Sequence, residues 1–227
     1  ALVWCNQKGE EKVITFGEMK ELSLKMCNVI SSYGVKKGDF VMSMLNRRWE
    51  YWVLVVACCK MGVVLIPATH MLTPKDVAYR VNEAGVKLLF ATEEEDVAEH
   101  ISLALPDCKN LKGVLSVNGT HFDNLDEKLE NAPADFSFDA RPNPRDLMLV
   151  YFTSGMPKMV MHDFLYPLGH VFTAKYWQDV VDDGLHFTMA ETGWAKCSWG
   201  KIYGQWISGT AVFAYDYHGR FTPTDVL

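Results

Sequence analysis

The sequence predicts an α/β protein with mixed, largely parallel sheets flanked by helices. Two observations carry this. Short apolar runs with strand character alternate with segments of helical spacing from Thr15 to Tyr215. About half of the 227 residues are hydrophobic and 22% are charged, a balance that folds around a core and excludes disordered, collagen-like and low-complexity chains. A chain of this length buries roughly 70–75% of its unfolded surface.

The elements follow in order. Thr15 and Glu18 form a capping-box pattern, and Met19, Leu22, Met26, Val29 and Ile30 continue it at helical spacing until Gly34. Gly38 and Asp39 turn the chain into a strand over Phe40–Leu45. Trp49–Met61 reads as a mostly buried helix, and Val63–Ile66 as a short strand ended by Pro67. Thr73 before Pro74 is an N-cap with proline at the first helical position, and Gly85 closes that helix. Lys87–Ala91 and Gly113–Val117 read as strands, Asp96–Leu105 and Phe122–Asn131 as helices. A loop over Ala132–Pro144 carries three prolines. Then come a strongly apolar strand (Leu147–Phe152), a helix (Tyr166–Trp177), a strand (His186–Met189), a helix (Ala195–Ile207) and a strand (Ala211–Tyr215). The acidic run from Glu93 to Asp96 reads as a solvated helix start.

Charge and cysteine usage narrow the function. Lys+Arg total 22 and Asp+Glu 28, so the net charge is 22 − 28 = −6, which argues against nucleic-acid and anionic-lipid partners. Cys5, Cys27, Cys58, Cys59, Cys108 and Cys197 show no CxxC or zinc-finger spacing and read as free thiols. With no targeting segment at Ala1–Cys5, the expectation is a reduced, cytoplasmic protein. The longest apolar run, Trp52–Pro67, is interrupted by Lys60 and Gly62 and is too short to span a bilayer.

The sharpest chemical signal is the stretch from Leu149 to Met159, LVYFTSGMPKM. An apolar strand runs into Thr153, Ser154 and Gly155, and Lys158 follows. Small hydroxyl residues and glycine let backbone N–H groups turn toward a phosphate, and lysine adds a compact positive charge. On composition alone, an ordinary strand-to-helix turn with a surface lysine fits as well. No Walker A pattern is present.

Together with other segments, this stretch resembles the signature loop of the acyl-adenylate-forming superfamily, hydrophobic-T-S-G-T-T-G-x-P-K. The segment from Lys60 to Ala68 is similar to the family's K-x-G-A-x-x-x-P. Asp76 to Arg80, with Ala84 and Lys87, is similar to the helix after it. Ala190 to Trp194, AETGW, is similar to the A-D-x-G-W of acetyl- and medium-chain acyl-CoA synthetases. The resemblance covers Val13 to Tyr217 and is closest to the medium-chain branch. It implies that residues 1–227 are part of a large N-terminal, ATP- and acyl-binding domain, without the C-terminal domain.

Two departures matter. The family's Thr-Thr-Gly is missing between Gly155 and Met156. The expected reason is an absent mobile loop, so these two residues should not be covalently joined. The family's later Y-G-x-T-E and ribose-binding segments and its C-terminal lysine are also missing, so the segment alone should not complete the reaction.

The resemblance implies ATP-dependent activation of a short, medium or branched carboxylic acid to acyl-AMP, then thioester formation with coenzyme A, assisted by Mg²⁺. Thr153, Ser154, Gly155 and Lys158 would hold the phosphates of ATP. No catalytic side chain and no protein metal ligand is assigned. Trp177, Thr192, Gly193, Trp194, Lys196 and Trp199 are the candidates for an acyl and coenzyme A pocket. On a single helix from Ala195, Lys196, Trp199, Tyr203 and Trp206 would share one face, either as a pocket wall or as a core stripe. Arg80 could meet a coenzyme A phosphate or lie on a solvated face. His70, His162, His170 and His186 read as core or surface. A homodimer is allowed as a further assembly. The rival readings are an enzyme that loads a carrier protein, a non-catalytic nucleotide- or acyl-binding module, and an unrelated nucleotide-binding domain.

Overall fold

The computed structural model describes residues 1–94, 96–217 and 224. In chain order the elements begin β1 (Leu2–Asn6), β2 (Glu11–Ile14), α1 (Phe16–Ser32), β3 (Phe40–Met44), α2 (Glu50–Met61), β4 (Val64–Pro67), α3 (Pro74–Ala84) and β5 (Val86–Thr92). They continue with α4 (Val97–Ala104), β6 (Gly113–Val117), β7 (Asp123–Asn124), α5 (Leu125–Asn131), β8 (Leu147–Phe152) and β9 (Met159–Asp163). The last are α6 (Tyr166–Tyr176), β10 (Leu185–Phe187), α7 (Ala195–Lys201), α8 (Tyr203–Ile207) and β11 (Ala211–Asp216).

The strands form two sheets. One has seven strands in the order β7-β6-β5-β3-β4-β8-β9, parallel throughout except for the antiparallel β8–β9 edge. The other has the order β10-β11-β1-β2, with only β1–β2 antiparallel. The expected fold class is therefore present. The strands β1 and β2 were not anticipated, because their alternation is short and only Leu2, Trp4 and Ile14 are buried.

Strand alternation divides the interior into two cores. Val41, Leu65, Leu88, Phe90 and Leu115 face α1, α2 and the second sheet; Met42, Met44, Ile66, Leu89 and Val150 face α3 and α4. Helix α2 is buried nearly all round, from Tyr51 and Trp52 to Cys58, as its near-uniform hydrophobicity demands. The Trp52 indole donates to the Lys201 carbonyl at 3.1 Å and ties α2 to the C-terminal helices. Among the described residues no helix is long and apolar enough to cross a membrane, and all six cysteines are free.

Two sequence expectations are corrected here. The helix foreseen over Ala195–Ile207 breaks at Ile202 (φ −138°, ψ −83°) into α7 and α8. The break lets Gly204 lie directly against the His170 carbonyl on α6, an approach that any Cβ would block. Glu93 is not a solvated helix start. Its carboxylate accepts from Ser116 Oγ, the backbone N–H and hydroxyl of Thr120, the N–H and ring of His121, and the N–H of Phe122. Sequence reading ties an acidic residue to its near neighbours, and these partners lie more than twenty residues away.

Candidate functional site

The carboxyl ends of β3, β4 and β8 lie side by side, where loops of an open parallel sheet gather a ligand. The loop leaving β8 is the candidate phosphate turn. It does not lead to a helix. It closes a hairpin in which Phe152 pairs with Met159. The Thr153 N–H donates to the Lys158 carbonyl at 3.0 Å, and the Lys158 N–H donates to Thr153 Oγ1 at 3.0 Å. The chain thus runs unbroken through Gly155 and Met156, and the expected interruption is absent. Cross-strand bonding at 153 and 158 leaves room for only a four-residue tip, and Gly155 (φ 78°) supplies its left-handed position.

This closure divides the roles of the turn. The N–H groups of Thr153 and Lys158 are occupied, whereas those of Ser154, Gly155 and Met156 have no acceptor among the described residues. Thr153, Ser154, Gly155 and Lys158 are all exposed. The turn therefore offers three backbone donors, the Ser154 hydroxyl and the Lys158 ammonium to an anion.

Helix α3 supports the turn. Tyr79 Oη donates to the Pro157 carbonyl at 3.1 Å, and the Tyr79 ring meets Phe152 edge-on at 6.3 Å. Arg80 is held by Asp76 at 3.2 Å and lies over the Phe152 ring at 5.4 Å. These contacts occupy Arg80, whose side chain is only 13% exposed, so it does not lie on the solvated face expected as the alternative.

The segment from Ala190 to Trp194 is fixed from below. The Thr192 hydroxyl donates to the carbonyl of Asn46, which sits just past β3 in the left-handed region (φ 50°). Gly193 packs on the chain after β4, where a Cβ would come within 2.6 Å of the Ala68 carbonyl carbon. Glu191 Oε1 lies 3.1 Å from His70 Nδ1. Burial opposes ionisation of Glu191, but the His70 hydrogen bond and charge, Arg47 and Thr69 outweigh it and hold the carboxyl below its ordinary range. Trp194 is left 52% exposed.

The remaining candidates spread out. Lys196 is exposed and Trp199 half-buried on α7. Because the helix breaks at Ile202, Tyr203 and Trp206 do not continue that face. Tyr203 is buried 6.0 Å from the Tyr166 ring, while Trp206 meets Phe16 at 6.1 Å and donates to the Ala1 carbonyl. Trp177 stands 80% exposed at the end of α6, next to Gln178, which Gln205 links to the Trp199 carbonyl.

Sequence reasoning missed Asn46 and Arg47, read His70 only as core or surface, and gave no role to Glu191 and Tyr79 although both lie in segments that carry the resemblance. For Asn46, Arg47 and His70 the available signal was position. Asn46-Arg47 and Thr69-His70 each follow a strand that ends at the same sheet edge.

The AMP-binding enzyme family matches this chain over residues 1–227. The chain belongs to the AMP-binding enzyme family. It is 34% identical over 223 residues to the acyl-coenzyme A synthetase ACSM4, mitochondrial, of Mus musculus, covering 95% of this chain and 38% of the relative. It is 32% identical to ACSM3, mitochondrial, of Homo sapiens, covering 100% of this chain and 39% of the relative. The crystal structure of Brucella canis acyl-CoA synthetase superposes with a TM-score of 0.83 at 18% identity, over 100% of this chain and 41% of that one. That likeness establishes the fold. The chain thus spans about two fifths of the length of these relatives. Both named relatives are mitochondrial, so they lend no support to the cytoplasmic placement expected from the sequence.

Proposed function

We propose that residues 1–227 are the N-terminal, nucleotide- and acyl-binding part of an AMP-forming acyl-CoA synthetase, an acid–thiol ligase. The carboxylate of a short, medium or branched acid attacks the α-phosphorus of ATP, forming acyl-AMP and releasing pyrophosphate. The thiol of coenzyme A then attacks the acyl carbon, forming the thioester and releasing AMP. Support comes from family membership over the whole chain and from the names of the relatives.

The observation that carries the reading is the phosphate turn. The first step brings two anions together, so fixed donors must offset their repulsion. Ser154, Gly155 and Met156 present unused N–H groups, and Lys158 provides the positive charge. Mg²⁺ bound with ATP supplies further charge neutralisation. The Ser154 hydroxyl on the turn is an oxygen that could reach such an ion.

Thr192 and Gly193 fix the backbone of the acid and coenzyme A site. Trp194 is the side chain on that turn free to meet the acid, and Lys196, Trp199 and Trp177 are the further candidates for its lining. The test is acid-dependent ATP–pyrophosphate exchange by the full-length protein. Exchange that rises with a short or branched acid and disappears in Lys158→Ala supports the reading; no exchange with any acid opposes it.

The short, closed turn favours a second reading, a nucleotide- or acyl-binding module without turnover. ATP binding by the full-length protein without any exchange would select it.

A further inference from the structure

We propose that His70 is a positioning residue for adenylation, acting through Glu191 as a latch that sets Trp194 beside the acid. This rests on the acyl-CoA synthetase reading above.

The latch joins residues 121 positions apart across the mouth of the sheet. His70 lies between β4 and α3, and Glu191 opens the turn that leads to α7. Both side chains are sheltered, with 19% and 10% exposure. The Trp194 N–H donates to the Glu191 carbonyl at 3.2 Å, and the Trp194 carbonyl accepts from Cys197 at 2.9 Å as α7 begins. Trp194 is therefore the link between a pinned turn and a helix start. Thr192 holds the middle of the turn through its hydroxyl on the Asn46 carbonyl, and Gly193 through a close approach to the chain after β4; neither touches the Glu191 carboxylate. The Glu191 carboxylate, held by His70 and also by Thr69, orients the residue from which Trp194 takes its hydrogen bond, and His70 is its charged partner. A half-exposed indole carried on a backbone held at both its N–H and its carbonyl starts from a fixed position, as a wall for an apolar ligand placed before the ligand arrives.

A positioning role and a merely structural one separate in kinetics. In the full-length protein, His70→Ala should raise KM for the acid about tenfold, with KM for ATP and kcat changed less than about threefold. His70→Asn places a carboxamide nitrogen where Nδ1 stands and should restore KM for the acid to within about threefold of wild type. Circular dichroism confirms folding, and Glu191→Gln, which keeps shape and acceptor, replaces His70→Ala if the latter does not fold; it should raise the same KM about threefold. An unchanged KM for the acid in folded His70→Ala, or an equal rise in KM for acid and ATP, overturns the latch. Acrylamide quenching isolates the indole without turnover, as the difference between each protein and its Trp194→Phe counterpart. His70→Ala should increase the Trp194 contribution, and an identical contribution overturns the latch. A wild-type protein without exchange activity defeats the synthetase reading, whereas the quenching result still decides the latch.

Discussion

The hydroxyl of Tyr79 donates to the carbonyl oxygen of Pro157 at 3.1 Å, tying the middle of α3 to the turn that follows β8. With the hairpin bonds at 153 and 158, it fixes the turn from a third side. Tyr79 is 37% exposed, so the bond contributes more to placement than to stability. Tyr79→Phe should leave the unfolding midpoint nearly unchanged and weaken ATP binding by about three- to tenfold, since one bond of about 1 kcal/mol organises the donors. Calorimetric titration with ATP checks this; equal affinity would show that the turn needs no support from α3.

The length of the turn gives the second prediction. Its three free N–H groups are fewer than a longer loop would offer, and the closing bonds prevent it from widening. Inserting Thr-Thr-Gly between Gly155 and Met156 adds backbone donors without touching β8 or β9. ATP–pyrophosphate exchange in the full-length protein should rise by about tenfold or more, the scale of one added charge-stabilising donor. A fall would mean that the short turn is the adapted form.

Much of this architecture was legible in the chain because its determinants are local. The capping box at Thr15–Glu18 is formed, Thr73 caps α3 with Pro74 in its first turn, and the uniform hydrophobicity of α2 correctly signals burial between layers. Three features were not legible. The hairpin turn needed knowledge that β9 pairs antiparallel to β8, and β9 is an edge strand with little apolar patterning. The break at Ile202 is imposed by the approach of Gly204 to α6, a tertiary contact. The His70–Glu191 and Glu93 bonds span 121 and up to 29 positions, beyond any periodicity.

Glu93 supplies a stability prediction with a definite pH window. Burial raises its pKa, but the bonds from Ser116, His121 and Thr120 outweigh burial and hold the carboxyl far below the ordinary range. A depressed folded pKa contributes stability that is present above the unfolded value of 4.5 and is lost as pH falls below it. Glu93→Gln should cost about 1–3 kcal/mol at pH 7, because an amide group puts N–H donors against other donors. The difference from wild type should shrink steadily below about pH 4.5 in urea unfolding. A pH-independent difference would show that shape, and not charge, matters at this position.

Lys201 supplies the opposite case. Its side chain is 1% exposed, with the Trp52 and Phe187 rings 5.8 and 5.9 Å from Nζ and no hydrogen-bond acceptor among the described residues. Burial pulls its pKa down from 10.5 to about 8, opposed by Cys197 and aided by Arg47. The unfolded chain therefore keeps this proton up to about pH 10.5, whereas the folded chain releases it near 8. The cost to folding is complete below pH 8 and disappears between 8 and 10.5. Lys201→Met keeps the length of the side chain, satisfies the two rings and removes the charge. It should raise stability by about 1–3 kcal/mol at pH 7, with the gain fading toward pH 10.5. Urea unfolding at pH 7 and pH 10 decides it. A loss of stability at pH 7 would mean that the ammonium stabilises the fold through its contacts with the Trp52 and Phe187 rings.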